Sequence, residues 1–293
     1  MKAKAKRKNV HLCYIDISRA YDSVNRSILW QKLRSIGFGE SFLGCIQALY
    51  TGDSVDTVVN GISSREVFLG RGVRQGCSLS PLLFALYIAE IGIGIDAAKV
   101  GFSLGGVIFS GLLFADDIVL IATTFQDLES LIQLVKGHCD SLMLTISSSK
   151  SNIVTPDDVD QMLLLDDDNN VTLALSKVLS YKYLGTETTL LMSSTGSKHQ
   201  QKCIQIAKRY KYSCCYLGRI GPDFVDTVLA TWSNIAIPSI LSGCEVIQFT
   251  ESNINIIERI QSQVAKIALS VPQNTSNVCA QTEMRMKPFR MRL

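Results

Sequence analysis

The stretch GLLFADDIVLIA, residues 111–122, sets two adjacent carboxylates, Asp116 and Asp117, in the middle of an otherwise apolar run. Each flank reads as a short buried strand, being a continuous run rich in branched and aromatic residues. A charge carried into a core is in practice neutralised, paired or bound to metal, because leaving it bare is too costly. The pair therefore belongs at a solvent-facing bend between two strands. Two readings of that bend stay open on these residues alone. One is an ordinary hairpin with Asp-Asp in its turn, since Asp is a common turn residue; the other is a hairpin that raises two carboxylates into a cleft to hold divalent metal.

Working outward, VHLCYIDIS (10–18) is a second strand-like run with one acid, Asp16. NRSILWQKLRSIGFG, from Asn25, has a capping residue, helical spacing of Ile28, Leu29, Leu33 and Ile36, and a terminating Gly37. A further helix is expected over ESFLGCIQALYTG, then two strands joined at Asn60-Gly61, a favoured hairpin dipeptide. Ser80-Pro81 starts the helix PLLFALYIAEIGIGI. Short Gly-punctuated strands lead through residues 100–122, and an amphipathic helix follows with Leu128, Leu131, Ile132 and Val135 inward. PDDVDQMLLLDDDNN (156–170) reads as an acidic surface excursion, not a calcium loop, since the Gly and closing Glu of such a loop are absent. YKYLG (181–185) is one more short strand, and beyond about 195 the pattern is helical throughout. The order predicts an α+β fold, an antiparallel or mixed sheet covered by helices, followed by an all-α region, with the boundary at 190/191.

The totals narrow the class. The chain has 293 residues, 47% hydrophobic and 19% charged, enough for a large core. A net charge of +3 does not itself imply nucleic-acid binding, though Lys2, Lys4, Lys6, Arg7 and Lys8 form a basic cluster that reads as a phosphate contact or a solvated tail. The nine scattered cysteines contain no Cys-x-x-Cys pair and stand beside only three histidines. They read as reduced core thiols and suggest a reducing compartment, cytoplasm or nucleus. The longest apolar stretch is interrupted by Glu90 and Asp96, so no membrane segment is expected. Walker, nucleophile-elbow and His-Glu-x-x-His patterns are absent, which removes those phosphate-binding and hydrolytic chemistries.

Asp16 joined to Asp116 and Asp117 makes a chemical pattern: acids on rigid strands can hold two cations about 3.5–4 Å apart for phosphoryl transfer. At this point YIDISRAYDSV, GVRQGCSLSPLLF, FADD, SLMLTISSSKS and YKYLG, in that order, resemble the successive palm motifs of reverse transcriptases of non-LTR (LINE-like) retrotransposons. The resemblance covers roughly residues 10–186, and IPSILSGCEVI and IERIQSQVAKIALSVPQNTS also look like the thumb that follows. It implies a right-hand palm with partial fingers elements over 1–190 and a helical thumb or connection over 191–293. It implies an RNA-directed DNA polymerase working on an RNA template and DNA primer with dNTPs, using two Mg²⁺ ions with Mn²⁺ as a possible substitute.

By position, the resemblance makes Asp16 and Asp116 metal ligands, with the Ile17 carbonyl as a further one, and Asp117 their supporting neighbour. Tyr21 matches the gate beneath the incoming sugar, Asp22 a structural hydrogen-bonding position, and Gln75 and Gly76 the loop beside the nucleotide. Arg74 is a template or triphosphate contact, or an ordinary surface Arg. Lys150 matches a lysine that protonates or neutralises departing pyrophosphate, or is an ordinary surface Lys, and Ser147 stands where an Asn is commoner. Tyr183, Leu184 and Gly185 match a hairpin that grips the primer end, or else pack palm against thumb. Fifteen residues precede Asp16, so the rest of the fingers and an endonuclease region are expected to belong to a parent polyprotein. The competing expectation is a non-catalytic remnant that keeps the palm fold and at most binds nucleic acid weakly.

Overall fold

A computed structural model describes residues 9–166, 168–189, 192–220, 223–244, 247 and 249–292, so the basic cluster from Lys2 to Lys8 lies outside the described residues. The chain forms two compact units, one ending at Tyr181 and the other beginning at Lys182.

The first unit opens with strand β1 (His11–Asp16), helices α1 (Ala20–Ser23), α2 (Arg26–Ser35) and α3 (Glu40–Leu49), and strands β2 (Ser54–Val55), β3 (Val58–Val59), β4 (Ile62–Ser63) and β5 (Val67–Phe68). Helix α4 (Ser80–Ala97) and strands β6 (Phe102–Leu104), β7 (Val107–Phe109), β8 (Gly111–Phe114) and β9 (Asp117–Ala122) follow. Helix α5 (Phe125–Ser141) and strands β10 (Asn152–Val154), β11 (Gln161–Leu165) and β12 (Val171–Lys177) complete it.

Local chemistry accounts for most of these boundaries. The Asn25 side chain accepts the Ile28 N–H at the start of α2, and Thr124 does the same for Asp127 at the start of α5. Asn60 (φ 53°) and Gly61 (φ 80°) give the two positive dihedrals of the tight turn between β3 and β4. Helix α4 begins with Pro at its first turn, where a missing N–H costs nothing. By length and composition α4 could cross a membrane, and so could the segment Phe224–Leu241. In the fold, Leu83, Phe84, Tyr87, Ile88, Ile91 and Ile95 of α4 are buried in the core of the first unit.

Six strands form one sheet in the order β11-β12-β10-β1-β9-β8, antiparallel except for the parallel pair β10/β12. The neighbouring strands β1, with the residue that follows it, and β9 show why the sheet holds together. Cys13, Ile15 and Ile17 on one, and Ile118, Leu120 and Ala122 on the other, join the core that holds α2, α4 and α5. The register pairs Cys13 with Leu120 and Ile15 with Ile118, so this apolar set shares one face. Burying each of the Ile and Leu side chains among them contributes roughly 1.5–3 kcal/mol.

The expectation that 156–170 is a surface excursion is corrected. Gln161–Leu165 is the edge strand β11, with Met162 and Leu164 buried and Gln161, Leu163 and Leu165 exposed. Its period-two alternation is genuine, but flanking acids masked it. The acids instead build the turn: Asp166 accepts N–H bonds from Asp168 and Asn170, and Asn169 takes φ 60°.

The second unit begins within the hairpin of β13 (Ser180–Tyr183) and β14 (Thr186–Thr189) and continues with helix α6 (Met192–Ile220), α7 (Phe224–Thr231), α8 (Ile237–Leu241), α9 (Glu251–Ala268) and α10 (Asn277–Glu283). The division falls ahead of the expected 190/191 because the hairpin is bonded to α6: Lys198 pairs with Glu187 at 2.7 Å and Lys202 donates to the Gly185 carbonyl at 2.5 Å. A wide π turn, Trp232–Ala236, precedes Pro238, which has no N–H to offer the carbonyl one turn back. Cys203, Ala207, Val228, Trp232, Ile257 and Val264 are among the core residues of this unit. The Trp232 indole donates to the buried Gln261 amide at 3.1 Å, and Gln261 donates to the Lys287 carbonyl at 3.0 Å.

Candidate active site

Since Cys13, Ile15 and Ile17 point to the helices, the pleat turns Tyr14 and Asp16 to the opposite face. On β9 the same alternation sends Val119 and Asp117 there, and the register places Asp16 directly across from Asp117. Two acids are thus forced onto neighbouring positions of the face that the core does not cover. Asp116 precedes Asp117 at the bend after β8, where Ala115 takes φ 53°.

The electrostatics of the cluster are unbalanced. Burial, then the Asp116 and Asp16 charges, raise the Asp117 carboxyl above its ordinary value. The Oδ2 atom of Asp16 is buried and accepts no hydrogen bond; its ion-pair partner, the Lys150 ammonium, stands 3.6 Å away and is 69% exposed. Three carboxylates against one solvated lysine, with an inaccessible carboxylate oxygen left without a donor, make a donor set that suits a hard, oxygen-liganded cation such as Mg²⁺.

The segment after α5 braces Asp16. Its N–H donates to the Ser151 hydroxyl at 3.0 Å, its carbonyl accepts the Ser147 N–H at 2.9 Å, and Ser18 donates to Thr145 at 2.8 Å. These bonds flank the Ile17–Ile146 bridge, so the Ile17 carbonyl is directed to the other edge, the side of β9. Tyr181 packs against this region on the face that carries Tyr14 and Asp16. Its hydroxyl donates to the Lys150 carbonyl at 3.1 Å and its ring stacks on Tyr14 with centroids 4.2 Å apart. Burial, then Asp16 and Asp117, raise its phenol. Sequence reading quoted Tyr181 within YKYLG but assigned it no role; the signal was its place on a strand, one residue after Ser180.

A second group surrounds Tyr21, whose ring stacks on Phe84 at 4.9 Å and whose carbonyl accepts the Val73 N–H at 2.8 Å. Gln75 donates its amide to Asp22 at 3.2 Å, tying the loop to α1. Gly72 (φ 88°) lies so close to this turn that a Cβ would sit 3.0 Å from the Asp22 backbone. Gly76 (φ 81°) opens onto space, with no atom within 4 Å of where its Cβ would be.

Arg74 has a partner within the protein: it ion-pairs with Asp53 at 3.0 Å. The same Asp53 pairs with Arg26 at 2.7 Å. Arg26 also donates to the carbonyls of Gly72 and Leu69 at 2.8 and 2.7 Å, and stands 4.8 Å over the Tyr50 ring. Sequence reading missed Arg26 and Asp53 because nothing in their local pattern distinguishes them from surface charges. They set the loop that carries Arg74, Gln75 and Gly76.

Tyr183, Leu184 and Gly185 belong to the hairpin of β13 and β14, with Leu184 at φ 46° and Gly185 at φ 80° forming the turn. Leu184 is exposed there.

Residues 1–188 match the family model described as reverse transcriptase (RNA-dependent DNA polymerase). The chain is 32% identical over 146 residues to the Retrovirus-related Pol polyprotein from type-2 retrotransposable element R2DM of Drosophila melanogaster, covering 49% of this chain and 14% of that one. It is 24% identical over 200 residues to a type-1 R2 element polyprotein of Popillia japonica, covering 66% of this chain and 32% of the relative. The RNA-directed DNA polymerase from mobile element jockey of Drosophila funebris is 26% identical over 121 residues, covering 41% and 13%. The chain thus spans a third or less of the length of these relatives. Among solved structures, apo telomerase from Candida tropicalis is similar with a TM-score of 0.49 and 11% identity, covering 91% of this chain and 48% of that one.

Proposed function

We propose, from the premise that this chain belongs to the reverse transcriptase (RNA-dependent DNA polymerase) family, that its first unit is the palm of an RNA-directed DNA polymerase. It transfers nucleotides from dNTPs to the 3′-hydroxyl of a primer annealed to an RNA template, using two Mg²⁺ ions for which Mn²⁺ can substitute. The observation that carries this reading is the Asp16–Asp117 cross-strand pair with Asp116 beside it, and the buried Asp16 oxygen that no donor satisfies.

Asp16, Asp116 and the Ile17 carbonyl would hold the metal, whose charge lowers the pKa of an attacking hydroxyl and stabilises a leaving oxygen. The protein's own part is placement. Strands anchored by Ile15 and Ile118 fix two of the carboxylates, so little reorganisation is needed when charge develops. Asp117 adds negative charge across from Asp16 and draws cations into the cluster. Lys150, solvated and 3.6 Å from Asp16, is free to leave that pair and meet the departing pyrophosphate. The Tyr21 ring, held against Phe84, serves as the floor that excludes a 2′-hydroxyl, while Gln75 and Gly76 line the nucleotide side. Arg74 touches the triphosphate or template only by exchanging Asp53 for phosphate. Tyr183, Leu184 and Gly185 grip the primer end. The cysteine usage fits work in the cytoplasm or nucleus.

Primer extension on poly-rA with oligo-dT, dTTP and Mg²⁺ or Mn²⁺ tests the proposal. Extension by the chain that is lost in Asp116→Ala, with both proteins folded by circular dichroism, is the expected result. Extension that survives in Asp116→Ala refutes the metal assignment, and silence from the folded wild-type chain favours the non-catalytic reading.

A further inference from the structure

The second unit brings together three side chains far apart in sequence. His199 and Cys203 are four residues apart and share one face of α6. Cys244 comes from the turn after α8, and the ligand atoms of all three lie within 4.8 Å of one another. His199 is 4% exposed and Cys203 1%. Both sulfurs also face one carbonyl, that of Ile240, at 3.3 Å from Cys203 and 3.1 Å from Cys244. The backbone beside them is built for close approach. Gly243 takes φ 79°, and a Cβ there would come within 3.0 Å of the His199 ring.

We propose that His199, Cys203 and Cys244 form a zinc site in which the metal clasps α6 to the turn at Gly243, a solvent molecule filling the fourth position. Two sulfurs and an imidazole are borderline-to-soft donors that suit Zn²⁺ and discriminate against Mg²⁺, the reverse of the oxygen-only cluster on β1 and β9. The geometry is within reach. Tetrahedral zinc with bonds of about 2.3 Å to sulfur and 2.0 Å to nitrogen needs ligand atoms roughly 3.5–3.8 Å apart. Drawing the three atoms together by up to about 1.3 Å is within the reach of side-chain rotation. Binding replaces two S–H bonds by two S–Zn bonds and releases two protons to solvent, with no change of oxidation state. Neither His199-x-x-x-Cys203 nor the distant Cys244 forms a recognisable zinc pattern in sequence, and so the cysteines read there as core thiols.

The test uses the full chain, purified under reducing conditions, stripped of metal and titrated with Co²⁺ and then Zn²⁺. Expected are about one equivalent bound per chain, intense tetrahedral d–d bands, a thiolate-to-cobalt charge-transfer band that Zn²⁺ abolishes, and a rise in Tm on zinc addition. The double variant Cys203→Ser, Cys244→Ser loses the charge-transfer band, whereas Cys215→Ser and Cys279→Ser keep it. Should the double variant fail to fold, His199→Gln supplies a second test: it keeps both thiols but removes one of the three ligands, so Co²⁺ affinity should fall about tenfold or more, and an unchanged affinity would overturn the proposal. A folded wild-type chain with intact thiols that gives no charge-transfer band overturns the proposal. So does a band that persists in the double variant, which would assign the metal to other cysteines. Because the readout is metal binding, it is independent of whether the first unit polymerises.

Discussion

Two groups of charged side chains in the first unit differ in how they are satisfied. Arg26 and Asp53, with side chains only 11% and 8% exposed, answer one another at 2.7 Å, and Arg26 spends its remaining donors on the Leu69, Gly72 and Tyr50 carbonyls. Asp16 and Asp117 instead oppose like charge to like charge, and one Asp16 oxygen is left without a donor. The first group is complete within the chain and fixes a loop. The second has only the solvated Lys150 ammonium, 3.6 Å from Asp16, to offset its charge, which is the contrast expected if one group supports a loop and the other serves the proposed metal site.

That contrast can be broken experimentally. The largest effect is expected at the incomplete group: Asp116→Ala should cut primer extension by roughly 10²- to 10³-fold or more, the scale of losing one preorganised electrostatic contact, with little change in the urea midpoint. Arg26→Ala should do the opposite to stability. Asp53 keeps the half-exposed Arg74 at 3.0 Å but loses its buried partner, which should cost about 1.5–3 kcal/mol in urea unfolding; a loss below about 1 kcal/mol would mean the pair is in effect a surface bridge.

Asp117→Asn sharpens the comparison. The folded Asp117 carboxyl sits above its unfolded value of 3.8, so between 3.8 and the raised value the native state holds more protons. Stability therefore falls as pH rises through that window and stays lower above it. The metal-free variant should melt higher than wild type at neutral pH and equally at pH values below the window, and Mg²⁺ should narrow the neutral-pH gap. A variant that melts lower at pH 7 contradicts the like-charge account.

The smallest effect is expected at the other end of β1. His11 is buried, hydrogen-bonded to Thr155 at 2.8 Å, and burial lowers its pKa below 6.5 against the upward pull of Asp157. The unfolded state then binds the extra proton, so stability is fully present above 6.5 and is lost as pH falls through the folded value. His11→Gln should flatten the Tm-against-pH curve on the acid side of 6.5; an unchanged slope would assign the dependence to another group.

Much of the fold was legible because its signals are local. The Asn25 cap, the Asn60-Gly61 turn, Pro81 at a helix start and the inward stripe of α5 each act within a turn of their own residue. Asp16, Asp116 and Asp117 were legible for a related reason: acids in apolar strands are conspicuous wherever the strands go. The edge strand Gln161–Leu165 was not, since its two buried positions are outnumbered by flanking acids. Arg26 with Asp53, Tyr181 with Lys150, and His199 with Cys203 and Cys244 were not legible either.

The sequence by itself determined most of the helices and strands, Gln161–Leu165 being the exception, and which carboxylates must sit at a bend, because backbone preference and hydrophobic period are properties of neighbouring residues. Only the tertiary structure decided that Asp16 faces Asp117, that Arg74 is drawn to Asp53 and that two cysteines meet a histidine. Register and long-range packing set those meetings, and a one-residue slip of β1 against β9 would have turned Asp16 to the other face.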